Sequence, residues 1–250
     1  MKMTVQAVLI ALLFCPASAG FAQETAAAQA AALSQASGPD DPALPEEAKG
    51  LMEKLGNIRA YQVRFQLQAV EEEGGESAWL SGELIFEQPN KRKLELKVLG
   101  EDELAQVIVS DGIREWQYYP AAAVVYVAEG LGEIPGPHRP FAEVEAGSVR
   151  FIEWVGDKAD ERLRFEGKPL PVVTLGAPVP IERLQVDLDK GNGMVRRLVL
   201  LDAEGHAALT QEYTDIRINP DLPAETFAFT PPAGIAVIEL DENPAGASAR

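Results

Sequence analysis

Few residues of this chain have the type and spacing that catalysis or metal binding requires. The chain contains two histidines, His138 and His206, which are far apart in sequence and lack partners at metal-ligand spacing. No Gly-x-Ser-x-Gly nucleophile elbow occurs. The single cysteine, Cys15, lies in the apolar N-terminal stretch. We therefore expect neither an enzyme nor a bound metal or other cofactor.

The acidic residues give one further candidate, a calcium loop. The run DLDKGNG from Asp187 to Gly193 is similar to the start of such a loop. Position twelve of the loop must be acidic, and here it is Leu198, so we interpret the run as a glycine-rich hairpin tip. Asp157, Asp160 and Glu161 are interpreted as a solvated turn. A hydrolase with paired carboxylates stays open as an alternative without positive support.

Charge and the N-terminal segment limit the function classes. The chain has 250 residues and a net charge of −17, which disfavours nucleic acid and anionic membrane surfaces as partners. Residues 1–22 have the features of a signal peptide: Lys2, a short apolar core, and small residues before Ala19 and Ala22. The apolar core is too short to span a bilayer. We predict export, with cleavage after Ala22 or Ala19, and a mature chain without disulfides.

The rest of the chain divides into a linker, one domain and a tail. Residues 23–43 are alanine-rich and polar, which is typical of a flexible linker, and residues 241–250 form a polar tail. Residues 44–240 are predicted to form a single domain. It begins with a helix over Leu44–Ile58, because Leu51, Met52, Leu55 and Ile58 recur at helical spacing.

Alternation of apolar and polar residues predicts that strands fill most of this domain. About ten strands are expected, which is too many for a flat sheet. Asp111 and Gly112 are predicted to form a two-residue type I′ turn in a central hairpin. Leu131–Gly147 is proline-rich and is the candidate for a movable flap. Near the end, Thr226–Thr230 and Ile235–Leu240 are predicted to be extended.

Three motifs, in order, carry a resemblance to a known family. They are FEQPN from Phe86, VIVSDGIREWQYYP ending at Pro120, and FAFTPPAGIAV from Phe227 to Val237. Together with the first helix they resemble the periplasmic outer-membrane lipoprotein carriers, the LolA family. The resemblance implies a mainly β, α+β fold: a strongly curved antiparallel sheet forming an unclosed half-barrel. Helices and loops would lie as a lid over its concave face.

The resemblance also implies a function and a site. The protein would be a monomeric periplasmic carrier that receives lipoproteins from an inner-membrane release complex and passes them to an outer-membrane acceptor. Acyl chains would occupy the hollow, and Gln88 stands where these carriers have the arginine that latches the lid. A lipoprotein or lipid sensor with the same fold is the alternative function. The side chains expected to line the hollow, or otherwise to fill an ordinary core, are Phe65, Leu67, Leu84, Phe86, Leu94, Leu96, Trp116 and Tyr118.

Overall fold

The computed structural model describes residues 51, 54–55, 57–70, 77–129, 150–157, 160–169 and 179–240. The predicted signal peptide, linker, proline-rich flap and polar tail lie outside these residues. Within them, alternating apolar and polar residues form the strands β1 to β12. Their bounds are β1 Ala60–Val70, β2 Ser77–Glu87, β3 Lys91–Val98, β4 Leu104–Asp111, β5 Arg114–Tyr119, β6 Val124–Glu129, β7 Arg150–Val155, β8 Arg162–Gly167, β9 Arg183–Asp189, β10 Val195–Leu201, β11 Ala207–Ile218 and β12 Ala236–Leu240.

All of these strands belong to one 12-stranded sheet in the order β12-β6-β5-β4-β3-β2-β1-β11-β10-β9-β8-β7. Neighbouring strands are antiparallel, except that β12 pairs with β6 in parallel. The terminal strands β12 and β7 do not pair with each other, so the sheet is unclosed. The predicted fold class, mainly β with an unclosed sheet, is confirmed. The sheet's centre joins distant parts of the chain, since Phe65 of β1 pairs with Tyr213 of β11.

One face of the sheet, which we call the core face, carries the main hydrophobic cluster. Directly paired residues on neighbouring strands share a face. The pairs Phe65–Gly82, Gly82–Leu96 and Leu84–Leu94 therefore continue one surface across β1, β2 and β3. Residues of β7 to β11 complete the same cluster. We call the opposite face of the sheet the outer face.

The predicted first helix is described only in part. Residues 51, 54 and 55 are helical, and Asn57 lies in a turn. Leu51, Leu55 and Ile58 are buried in the main cluster, so the predicted apolar stripe faces the core. The remainder of a lid over the core face lies outside the described residues.

Two local predictions are wrong. In the β4–β5 hairpin only Gly112 has a positive φ, of 97°, whereas a type I′ turn on Asp111 and Gly112 needs two such residues. Asp111 instead accepts hydrogen bonds from the backbone N–H groups of Ile113 and Arg114, both at 2.8 Å. Near the C-terminus, Ala224–Phe227 is a 3-10 helix where extended structure was expected from Thr226 onwards. Buried Phe227 fixes this turn against the sheet.

Candidate functional site

The core face brings together six of the eight side chains expected to line a hollow. All six are buried and belong to the main cluster: Phe65, Leu67, Leu84, Phe86, Leu94 and Leu96. Gly82 makes this surface possible, because a Cβ there would lie 2.5 Å from the Phe65 ring. Phe86 stacks on the ring of Tyr61 with centroids 5.2 Å apart. The face is therefore a continuous apolar surface.

The other two residues of that set, Trp116 and Tyr118, lie on the outer face. Trp116 pairs with Val109 and Tyr118 with Val107, while the neighbouring Ile108 shares the core face with Leu94. Both aromatic rings pack against Phe229 of the C-terminal segment, with centroids 6.3 and 6.2 Å away. Trp116 and Tyr118 therefore do not share a face with the other six residues, contrary to the expectation that all eight line one surface. Alternation with a period of two divides the residues of a strand between two faces, but it does not identify the face that packs in the main hydrophobic cluster.

In place of these aromatic residues, β5 presents polar side chains to the core face. Glu115 is 1% exposed and forms an ion pair with Arg92 of β3, which is 4% exposed. The Arg92 Nε donates to Glu115 Oε2 at 2.7 Å, and a second guanidinium nitrogen donates to the same oxygen. Two charges are therefore buried beside the apolar surface, where they are stable only as a pair.

The ion pair continues into a chain of hydrogen bonds along β5. The Gln117 Nε2 donates to Glu115 Oε1 at 2.7 Å, and the Tyr119 hydroxyl donates to Gln117 Oε1 at 3.3 Å. Burial, together with nearby Tyr126 and Glu115, raises the pKa of Tyr119. Tyr119 thus stays a neutral donor at neutral pH. The core face of the sheet is apolar over β1, β2 and the Leu94–Leu96 part of β3, and largely polar over β5.

Gln88 lies between β2 and β3 and is bonded to the chain that enters β1. Its Nε2 donates to the carbonyl oxygen of Ile58 at 2.9 Å. Its backbone N–H donates to the carbonyl oxygen of Arg59 at 2.8 Å. Arg92, the nearest arginine that follows Gln88, forms its ion pair with Glu115. The latch position therefore holds the segment between the helical residues and the first strand.

The residues with possible catalytic or metal chemistry do not converge in the described part of the chain. Asp187 pairs with Arg164 through bonds of 2.7 and 2.9 Å, and Asp189 accepts the backbone N–H of Gly191 in the β9–β10 turn. His206 lies 3.4 Å from Asp202 on the surface, and His138 lies outside the described residues. Among the residues that the structure describes, no three or more His, Cys, Asp or Glu side chains are grouped to hold a metal ion.

Sequence reasoning missed the polar residues of the core face, although a signal for them exists. Arg92 is in phase with Leu94 and Leu96, so alternation alone assigns it to the apolar face. A charged residue in that phase predicts a buried partner. Nothing local in the sequence identifies Glu115 as that partner, because the two are brought together by the intervening strand β4.

The chain is similar in sequence to two curated outer-membrane lipoprotein carrier proteins. It is 25% identical to that of Dechloromonas aromatica over 201 residues, which cover 74% of this chain and 83% of the relative. It is 29% identical to that of Bordetella avium over 170 residues, which cover 64% of this chain and 71% of the relative. No protein-family model matches the chain.

A solved structure supports the fold. The crystal structure of an uncharacterized conserved protein from Thermus thermophilus superposes with a TM-score of 0.56 at 13% identity. The match covers 78% of this chain and all of the other. This likeness concerns the fold alone. Within the described ranges, no helix is both long and apolar enough to cross a membrane.

Proposed function

Since the chain is a LolA-like protein, we propose that it carries lipoproteins, or other lipids, by binding their acyl chains on the core face of the sheet. The observation that carries the proposal is the continuous apolar surface of β1, β2 and β3, in a chain whose curated relatives are named lipoprotein carriers. Phe65, Leu94 and Leu96 lie in its middle. Such binding needs apolar area and no catalytic group.

The energy of acyl transfer is sufficient for such a function. Each CH₂ group moved out of water contributes about 0.8 kcal/mol, so a chain of lipid length gains roughly 10 kcal/mol. The side chains of the core face already pack against one another, with Leu94 fully buried and Leu96 3% exposed. An entering acyl chain must replace these contacts, and the net gain is smaller than the transfer figure. The lipid-bound and lipid-free states can then differ little in free energy, so that the protein can both take up and release its cargo.

The transport route is part of the proposal. The chain would be exported to the periplasm with loss of residues 1–22. It would travel as a monomer from an inner-membrane release complex to an outer-membrane acceptor. Its strongly negative charge, −17 over the full sequence, would keep it from adhering to anionic membrane surfaces between the two. Specific protein contacts, rather than general membrane affinity, would then decide where cargo is loaded and released.

Gln88 would act as a weak latch on the cover of the core face. The hydrogen bond from its side-chain amide to the carbonyl oxygen of Ile58 holds the segment that links the helical residues 54–55 to β1. Glutamine offers two uncharged donors, whereas arginine offers five in a rigid, charged fork. A charged hydrogen bond is roughly twice as strong as a neutral one. The cover should therefore open more readily here than in a carrier with arginine at this position.

A pair of matched truncations tests the binding face. Leu96→Ala removes apolar surface from the core face, and Val109→Ala removes it from the outer face of the adjacent strand. Both should lower the free energy of unfolding, by about 2–5 and ~2 kcal/mol respectively. Only Leu96→Ala should weaken binding of a fluorescent fatty acid measured by titration.

The latch is tested by Gln88→Arg in the same assay. This variant should reduce probe binding and raise the melting temperature of the lipid-free protein.

Mass spectrometry provides an independent measurement. Organic extraction of the protein purified from its native envelope should release acyl-chain compounds. If no lipid is extracted and no probe binds to the folded wild-type protein, the carrier function is wrong. If Leu96→Ala and Val109→Ala weaken binding equally, binding does not take place on the core face. If Gln88→Arg changes neither probe binding nor the melting temperature, the latch proposal is wrong, whereas the carrier function is not affected.

A further inference from the structure

Polar side chains run across the core face of β3, β4 and β5, next to its apolar part. We define the polar row as Arg92, Gln106, Ser110, Glu115, Gln117 and Tyr119. We propose that the polar row binds the carbonyl group at the head of an acyl chain, with the side-chain amide of Gln106 as the donor. This proposal rests on the proposed function, since it assumes that the chain itself lies on the apolar part of the same face.

Gln106 is placed at the border between the two parts. It pairs directly with Leu96, and two residues further along β4, Ile108 pairs with Leu94. All four side chains therefore share the core face. A ligand whose hydrocarbon chain lies along Leu94 and Leu96 would have its first polar atoms within reach of the Gln106 amide.

The buried side-chain amide of Gln106 has an N–H donor available for a ligand. The residue is 2% exposed, and its Nε2 is buried without a hydrogen-bond partner among the residues that the structure describes. Burying an amide N–H without an acceptor is unfavourable, because the group has lost its bonds to water. By contrast, Ser110 donates to the carbonyl oxygen of Asn90 at 3.2 Å. A carbonyl oxygen supplied by a ligand would satisfy Gln106.

The position of the buried ion pair favours a neutral carbonyl over a carboxylate at Gln106. The guanidinium of Arg92 is already neutralised by Glu115, and the second oxygen of that carboxylate accepts from Gln117. Arg92 also lies opposite Ser110, four residues along β4 from Gln106, so a carboxylate buried at Gln106 would lose its hydration without gaining Arg92 as a counter-ion. The row therefore fits the ester or amide carbonyl of an acylated molecule better than a free fatty acid.

Three lipids with sixteen-carbon chains test the proposal on the intact protein. Monopalmitoylglycerol carries an ester carbonyl, N-palmitoylethanolamine carries an amide carbonyl, and 1-O-hexadecylglycerol carries neither. Displacement of a fluorescent fatty acid should give wild-type affinities about fivefold higher for a carbonyl lipid than for the ether, the effect of one net hydrogen bond. Preference for the ester or for the amide identifies which linkage is recognised.

Variants assign this preference to a residue. Gln106→Leu should abolish it while leaving the affinity for 1-O-hexadecylglycerol unchanged. The matched control Gln62→Leu, on the outer face of β1, should keep it. The melting temperature of Gln106→Leu should be equal to or above that of wild type, because the change removes a buried unpaired amide.

Distinct outcomes contradict the two proposals. Equal wild-type affinity for all three lipids overturns carbonyl recognition and leaves the carrier function intact. Failure of every lipid to bind overturns the carrier function itself. A carbonyl preference that persists in Gln106→Leu, or a fall of several degrees in its melting temperature, assigns Gln106 a structural role and overturns the proposal.

Discussion

Strands β8 and β9 place apolar residues on the core face and charges on the outer face, whereas β5 does the reverse. In the first pair, Leu163 and Leu188 are buried inside, while Arg164 and Asp187 pair on the outer face. In β5, Glu115 is buried on the core face and Trp116 lies outside. The polarity of the two faces therefore inverts along a single sheet.

The C-terminal segment explains how the inverted region can be stable. Val107, Val109, Val125 and Val127 are buried on the outer face although they do not belong to the main cluster. The 3-10 turn that ends at buried Phe227 contacts β3 and β4, and Phe229 packs against the aromatic residues of β5. The outer face thus has a small hydrophobic core of its own. Polar residues can occupy the core face of β5 because burial of apolar area there is not the main source of its stability.

The largest effect is expected from splitting the buried ion pair. Glu115→Leu removes the carboxylate that balances the buried charge of Arg92, and should lower the free energy of unfolding by about 3–5 kcal/mol in urea denaturation. The double variant Arg92→Met/Glu115→Leu makes the core face apolar here, as it is in β8 and β9. It should recover most of the loss or exceed wild-type stability. A cost below about 1 kcal/mol for the single variant would mean that the pair is not desolvated in solution.

Truncation of the C-terminal aromatic residue tests the second core. Phe227→Ala should lower the free energy of unfolding by about 3 kcal/mol, because it exposes the outer surface of β3 and β4. Phe229→Ala is the comparison, since Phe229 is only partly buried and should cost less. If thermal melting shows no loss for Phe227→Ala, the outer face does not stabilise the inverted region.

The smallest effect concerns the charges on the outer face of β7–β9. Burial opposes ionisation of Glu166, but hydrogen bonds from Arg150 and Gln185 and the charge of Arg183 outweigh it, so its pKa is lowered from the ordinary 4.5. A lowered pKa in the folded state adds stability above about pH 4.5, and this stability is lost as the pH falls through the folded value. We expect a contribution of about 1 kcal/mol or less.

Glu166→Gln should therefore weaken the pH dependence of the melting temperature below about pH 4.5. Exposed Glu101→Gln serves as the control and should leave the profile close to wild type. Superimposable profiles for wild type and Glu166→Gln would show that the carboxylate contributes nothing to acid stability.

Most strands could be predicted because their alternation is local information. Strand β1, Ala60–Val70, is an example, since apolar and polar residues alternate without interruption from Tyr61 to Gln68. The orientation of β5 could not be predicted in the same way. Both of its faces carry large side chains, and the choice between them depends on Phe229, which is distant in sequence. The parallel addition of β12 to β6 is likewise a non-local pairing without a sequence pattern.

The candidate site was predictable to the extent that it is apolar. Phe65, Leu94 and Leu96 were identified from alternation and the family resemblance, and they share the core face. The polar row was not predicted, because a buried Arg–Glu pair cannot be told from two surface charges until the strands are aligned. Gln106 looks like an ordinary strand residue in the sequence, and only its burial without an acceptor distinguishes it.

The pairing of β1 with β11 has a consequence for how the chain folds while it is synthesised, or exported as proposed. A chain that emerges N-terminus first presents β1 to β6 long before β11 is available, so β1 remains a sheet edge with an open row of backbone N–H and C=O groups. Contacts as distant in sequence as Phe65 with Tyr213 form slowly, because closing a long loop precedes any gain. Until then the apolar core face has no partner from β7–β11. If the chain is exported as proposed, it would itself need protection from aggregation before β11 has paired with β1.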